Sequence, residues 1–217
     1  MKIIFTGGSG RFGQVFKRKT NFKNISFPTR RELNILNINQ IKKYLSKKRP
    51  AVLIHAAGLS RPMNIHEKNI DLSIDKNIIG TCNLVKVCKK FKIKLIYLST
   101  SYVYPGYKGN YKETDPLLPY NNYAWSKLGG ECAVQMLDDS LILRLSMTDY
   151  PFAYKKAFKD AYSSFIYNKD FAKILPYLLN QKGIINIGGK RQSIFNFAKK
   201  NNSKIKSMKI MKNSKFP

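Results

Sequence analysis

Short apolar runs alternate with amphipathic stretches over the first two thirds of the chain, and the alternation predicts the elements. Lys2–Thr6 reads as a buried strand that stops at Gly7-Gly8. Phe12, Val15 and Phe16 recur at helical spacing and predict a helix from Arg11 to about Lys19 with those side chains inward. Ile25–Phe27 predicts a second short strand. Ile38, Ile41 and Leu45 predict a helix that Pro50 ends. Ala51–His55 predicts a third strand running into Ala56-Ala57-Gly58. Ile70, Ile74, Ile78, Val85 and Cys88 predict one face of a single long helix ending near Phe91. Ile93–Ser99 and Leu141–Leu145 predict a fourth and a fifth strand. A loop rich in Pro, Gly and Tyr and then a helix carrying Tyr123 separate those two strands. Gly129-Gly130 inside that helix costs ~1 kcal/mol each relative to alanine, which close packing of the helix would offset.

Strands alternating with helices predict an α/β fold, a Rossmann-like doubly wound parallel sheet over residues 1–146. The pattern weakens over 147–217, which is expected to form a smaller portion with a basic tail. Phe165–Tyr167 and Ile184–Ile187 read as short strands there. Asp170–Leu179, with Pro176 interrupting it, and Ser193–Lys200 read as helices. From Asn201 the chain is polar and basic and is expected to fray.

Composition narrows the class. Hydrophobic residues make up 43% of the 217 positions, enough for a sizeable core and against disorder. No apolar stretch approaches the ~18 residues of a membrane span. The start, MKIIFTGGSG, lacks the apolar region and cleavage site of a signal peptide, so a cytoplasmic location is expected. Cys82, Cys88 and Cys132 have no C-x-x-C spacing and argue against a disulfide framework or a zinc site; all three are expected as buried free thiols. The net charge is +28 and is spread along the whole sequence, which favours polyanionic ligands and keeps a nucleic-acid partner in view without requiring one.

The candidate chemistry lies after the predicted strand ends. Gly7-Gly8-Ser9-Gly10-Arg11-Phe12-Gly13 holds a G-x-x-G-x-x-G turn between a strand and a helix, where the backbone can approach a pyrophosphate and the helix N-terminus supplies amide donors. After the second strand, Thr29-Arg30-Arg31-Glu32 puts two arginines ahead of the acidic residue. That order favours NADP over NAD, because arginine reads a 2′-phosphate. Ser99, Thr100 and Ser101 end the fourth strand, on the edge where open α/β sheets bind ligands. Tyr123 and Lys127 stand four residues apart on one helix face. A free phenol titrates near ~10, and a neighbouring ammonium would lower that value and make the tyrosine an acid–base group.

GGSGRFG, HAAG at 55–58, Asn77 in NIIGT, STSYVYPG at 99–106 and YAWSKLGGE at 123–131 together resemble an extended short-chain dehydrogenase/reductase of the nucleotide-sugar branch, over about residues 1–146. Within that branch the chain is similar to dTDP-4-dehydrorhamnose reductases and related UDP-sugar epimerase/reductases. The resemblance implies Tyr123 as catalytic acid, Thr100 on the reacting carbonyl oxygen, and Lys127 on the nicotinamide ribose, with Asn77 supporting the lysine. It implies Gly7, Gly10, Arg11, Phe12 and Gly13 around the pyrophosphate, with Ala56, Ala57, Gly58 and Ser99 beside the cofactor. Ser60, Arg61, Ser101 and Tyr102 follow strand ends and are candidate substrate contacts. The chain departs from the family at His55, where asparagine is usual. It departs again at Ser101-Tyr102, which lacks the Asp-Glu pair of the dehydratases. Residues 147–217 stand as a shortened substrate-binding portion.

The expected activity is NADP-dependent, or NAD-dependent, reduction of a nucleotide-linked keto-sugar, with or without epimerisation, in a chain that could pair as a homodimer. Two alternatives stay open: a 4-epimerase that retains NAD, and a non-catalytic NAD(P)-binding module contacting RNA or a protein.

Overall fold

The structure is a computed structural model in which residues 1–210 are described; the last part of the expected basic tail, 211–217, lies outside them. Strands β1 (Ile3–Thr6), β2 (Ile25–Ser26), β3 (Val52–His55), β4 (Lys94–Thr100) and β5 (Ser140–Leu145) form the central sheet. A sixth strand, Gly183–Ile187, joins β5, and the order across the sheet is sixth strand, β5, β4, β3, β1, β2. Every pairing is parallel. The helices are α1 (Arg11–Lys19), α2 (Ile38–Lys48), α3 (Ile65–Lys68), α4 (Ile70–Ser73), α5 (Gly80–Phe91), α6 (Asn122–Gln135), α7 (Asn168–Ile174) and α8 (Ile194–Lys199).

Both sheet faces are covered, which is why the strands read as unbroken apolar runs. Ile3, Phe5, Ile54, Ile96 and Leu143 pack on one face with Phe12 and Phe16 of α1 and Phe171 of α7. Ile4, Leu53, Leu95, Tyr97 and Ile142 point the other way, against Ile41 and Leu45 of α2, Leu84 and Val87 of α5 and Val134 of α6. Residues 147–210 divide their contribution. Phe171 and Leu175 complete the first core and Gly183–Ile187 extends the sheet. Phe152, Tyr167, Ile194, Phe197 and Ile205 form a separate small core.

Three expectations change. The helix expected over 70–91 runs without a gap from Ile70 to Phe91, but between α4 and α5 it widens into a π-helical stretch at Ile74–Ile79. The wider π turn rotates the faces out of phase, so Ile70 and Ile74 are exposed while Val85 and Cys88 are buried. The stretch after Asn201 is ordered further than its polarity suggests. Lys206–Met208 pairs with Lys156–Phe158, and Ile205 anchors it in the small core. Of the three cysteines only Cys88 is buried; Cys82 is half-buried and Cys132 is exposed. Among the described residues no helix is long and apolar enough to cross a membrane.

Close packing does accompany the paired glycines of α6. A Cβ on Gly129 would stand 2.9 Å from Ile78, and one on Gly130 would run into the Tyr97 hydroxyl and the Asn77 carbonyl. The missing side chains let α6 lie directly on the π-helical stretch.

Candidate active site

The carboxyl ends of β1, β3, β4 and β5 open into a cavity of about 840 Å³. A smaller one, about 240 Å³, lies beside it toward β2. Gly7, Gly10, Ala56, Ala57 and Gly58 line both, so the glycine turn is the divide between them. The turn is tight because it must be. Gly7 has φ +80°, and a Cβ there would stand 2.6 Å from the Ala57 nitrogen. A side chain on Gly13 would run into the Gly7 carbonyl oxygen. Gly10 N–H donates to that same carbonyl at 2.9 Å, which sets the start of α1.

Thr100, Tyr123 and Lys127 meet on one wall of the larger cavity, with Ser99 and Ser101 beside them. Asn121 caps α6, its Oδ1 accepting from Ala124 N–H at 2.8 Å, and Tyr123 lies in the first turn after the cap. Its ring packs 5.1 Å from His66 and 6.3 Å from Tyr102. Burial pushes the Tyr123 phenol up to about 12, against the direction expected from a neighbouring ammonium. The opposing influences are its hydrogen bond with Thr100 and the charges of Arg11 and Arg61. The Lys127 ammonium sits 4.0 Å above the Tyr97 ring, a cation–π contact. Burial pulls Lys127 down to about 7, with Glu131 resisting.

Behind this wall lies a buried charge pair that no sequence motif announced as functional. Arg144 of β5 meets Glu131 of α6 at 2.9 Å, with side chains 2% and 0% exposed. Ser99 donates to Glu131 Oε1. Arg144 also donates to the Tyr104 hydroxyl at 2.8 Å and the Glu113 carbonyl at 3.0 Å. The Tyr104 hydroxyl in turn donates to Asn186 Oδ1 at 2.9 Å, so the pair ties the Tyr-rich loop to the sixth strand. The available signal was Arg144 itself, a lone charge in the apolar run SLILRL.

Asn77 and His55 work within the scaffold. Asn77 Nδ2 donates to the Leu59 carbonyl at 2.9 Å and to Ser126 Oγ at 2.8 Å, while its Oδ1 accepts from Leu59 N–H at 2.7 Å. It thereby clasps the loop after β3 to α6 at the residue just before Lys127. His55 bridges Thr6 and Thr81, at 2.9 and 3.0 Å, and burial lowers its pKa to about 3, so it is neutral.

Arg30 lines the smaller cavity with Lys76. Arg31 lines neither cavity; its carbonyl accepts from Gln40. The Glu32 carboxylate is turned into its own chain, accepting from Thr29 N–H at 2.7 Å and Thr29 Oγ1 at 2.9 Å. At the mouth of the larger cavity, Ser60, Arg61 and Tyr102 are joined by Arg11 and by Asp149, a residue without any sequence signal. The far side is aromatic and basic, with Phe152, Tyr154, Lys155 and Phe165.

The model of the family described as RmlD substrate binding domain matches residues 1–162. The chain is 30% identical over 142 residues to methionine adenosyltransferase 2 subunit beta of Bos taurus, covering 61% of this chain and 42% of that protein. It is 28% identical over 155 residues to dTDP-4-dehydrorhamnose reductase of Aggregatibacter actinomycetemcomitans, covering 68% of this chain and 51% of that protein. The chain thus aligns with about half the length, or less, of these two relatives. Among solved structures, dTDP-4-dehydrorhamnose reductase of Bacillus anthracis, in complex with NADP, superposes with a TM-score of 0.87 at 25% identity, covering 97% of this chain and 85% of that one.

Proposed function

The chain belongs to the RmlD substrate binding domain family, and from that footing we propose that it is an NAD(P)-dependent reductase, or epimerase/reductase, of a nucleotide-linked keto-sugar. The convergence of Thr100, Tyr123 and Lys127 on one cavity wall carries this reading.

Two cavities that meet at a glycine turn suit a ligand with two ring systems joined by a pyrophosphate. Gly7, Gly10 and Gly13 and the amides at the start of α1 would take the pyrophosphate. Ala56, Ala57 and Gly58 would flank it. Arg30 and Lys76 line the smaller cavity and Glu32 is engaged with Thr29, which favours NADP over NAD. The solved Bacillus anthracis relative was crystallised with NADP. Lys127 would hold the nicotinamide ribose.

When bound, the nicotinamide supplies the hydride. The chain itself manages the proton. Thr100 Oγ1 and Tyr123 Oη both address the substrate carbonyl, and Tyr123 gives its proton to the alkoxide that develops there. Raised toward 12, the phenol is fully protonated at neutral pH, as a proton donor must be. The Lys127 ammonium stabilises the phenolate left behind. Residues 147–217 would provide the substrate side, with Phe152, Tyr154 and Lys155 facing the cavity.

Tyr123→Phe tests the reading. Loss of keto-sugar reduction by roughly 10²–10⁴-fold, with NADPH affinity kept, is expected; unchanged turnover rejects the mechanism. Stoichiometric NAD released on denaturing the purified protein would point instead to a 4-epimerase.

One observation favours a second reading. The bovine relative is named as a subunit of another enzyme, which suits an NAD(P)-binding module that serves a protein partner. NADPH binding without turnover of any nucleotide-linked keto-sugar, together with a Tyr123→Phe variant indistinguishable from the unaltered chain, would select it.

A further inference from the structure

One carboxylate oxygen at the mouth of the larger cavity holds two arginines from different segments. Asp149 Oδ2 accepts from Arg11 Nη1 and from Arg61 Nη1, each at 3.1 Å. Arg11 Nη2 also donates to Ser60 Oγ at 3.1 Å. Asp149 Oδ1 accepts from Asn168 Nδ2, at the start of α7, at 3.3 Å. Arg11, Ser60, Arg61 and Asp149 all line the cavity.

Two guanidiniums against one carboxylate leave one positive charge in excess. The bonds are single and longer than the ~2.7–2.9 Å of strong charge-assisted pairs. The side chains are 45%, 29% and 27% exposed for Arg11, Arg61 and Asp149, so water screens the pairing. A diphosphate offers more oxygens and more charge, in the paired geometry that a guanidinium fork matches. The arginines also stand within electrostatic reach of Tyr123, favouring its phenolate.

We propose that Arg11 and Arg61 form one two-guanidinium site for a diphosphate group, and that Asp149 is its placeholder, a carboxylate that occupies the pair until the diphosphate displaces it. The inference rests on the reading of the cavity given under Proposed function and adds Asp149 and the joint use of the arginines. Displacement would break the ion pairs that Asp149 makes to the glycine-turn side, while Asn168 keeps its hydrogen bond to Asp149 Oδ1. A diphosphate has two sources here, the dinucleotide and the nucleotide-linked sugar.

The test titrates the full chain at fixed ionic strength with inorganic pyrophosphate, NADPH, dTDP and UDP. The proteins are the unaltered chain, Asp149→Asn, Arg11→Gln and Arg61→Gln, each checked for folding by thermal melt. Asp149→Asn keeps the shape of the side chain and an oxygen for Asn168. It is expected to bind pyrophosphate at least threefold more tightly, and each arginine variant at least threefold more weakly. Matching tightening for NADPH identifies the cofactor as the source; matching tightening for dTDP or UDP identifies the sugar nucleotide. Pyrophosphate affinity unchanged or weakened in Asp149→Asn overturns the proposal, and intact NADPH binding in that protein leaves the function itself standing. Tightening for pyrophosphate with none for any nucleotide is adventitious anion binding and overturns it as well. An unaltered chain that binds neither NADPH nor dTDP nor UDP ends the reading of the cavity and this proposal together.

Discussion

Glu131 and Arg144 pair at 2.9 Å behind the cavity with side chains 0% and 2% exposed, whereas Arg11, Arg61 and Asp149 pair at 3.1 Å at its mouth with every side chain more than a quarter exposed. The rear pair is also hydrogen-bonded to Ser99, Tyr104 and the Glu113 carbonyl. Charges withdrawn from water survive only when their remaining donors and acceptors are satisfied, and removing one partner is then severe. Charges at the mouth keep their water and can exchange partners cheaply. The wall that would move the proton is therefore fixed, and the side that would admit the substrate is adjustable. The division follows the chain. The rear wall comes from β4, β5 and α6 of one packed sheet. The mouth joins α1, the loop after β3 and the segment at Asp149.

The comparison can be broken at several points. Glu131→Gln should have the largest effect on stability, about 3–5 kcal/mol, because Arg144 stays buried without its counter-charge. A denaturant midpoint that hardly moves would show that the rear pair does not hold the wall. Gly130→Ala should cost roughly 1–3 kcal/mol, since a methyl group must displace the Tyr97 hydroxyl or the Asn77 carbonyl; the same melt measures it. A third test uses pH. In the proposed mechanism Lys127 acts as a cation, and burial sets its pKa at about 7. Raising the pH through that value removes the charge, so kcat/KM for reduction, which reports the free protein, should decline above about pH 7, about tenfold per unit. Tyr123, held up to about 12, should add no limb of its own near neutrality. A profile flat from pH 6 to 9 would show that the lysine's charge is not used. The smallest effect is expected at the mouth: Asp149→Asn should change stability by less than about 1 kcal/mol, and a larger loss would mean that this ion pair is structural after all.

Much of the frame was legible because it depends on local chemistry. The five predicted strands of the first two thirds fall within a residue or two of β1 to β5. The glycine turn marks its helix start by tight-turn rules that act over a few residues. Tyr123, Lys127 and Thr100 were named together from one helix face and one strand end, and all three line the larger cavity. Asn77 was named, but its clasp on Leu59 and Ser126 was not, because it joins a π-helical stretch, a loop and α6, three segments distant in sequence. Arg31 was grouped with Arg30, and only the path of the loop separates the one that lines a cavity from the one that does not.

The sequence by itself determined the alternation of buried strands and amphipathic helices, the glycine turn, and the spacing of the tyrosine and lysine. Each of these is fixed by hydrophobic periodicity or by backbone sterics within a few residues. Only the tertiary structure decided that Glu131 finds Arg144, that Lys127 rests on Tyr97, and that Asp149 bridges Arg11 and Arg61. It also decided that burial, rather than the nearby ammonium, governs the Tyr123 phenol. Those outcomes depend on which distant segments share a space and how much water is excluded between them, and no run of neighbouring residues carries that information.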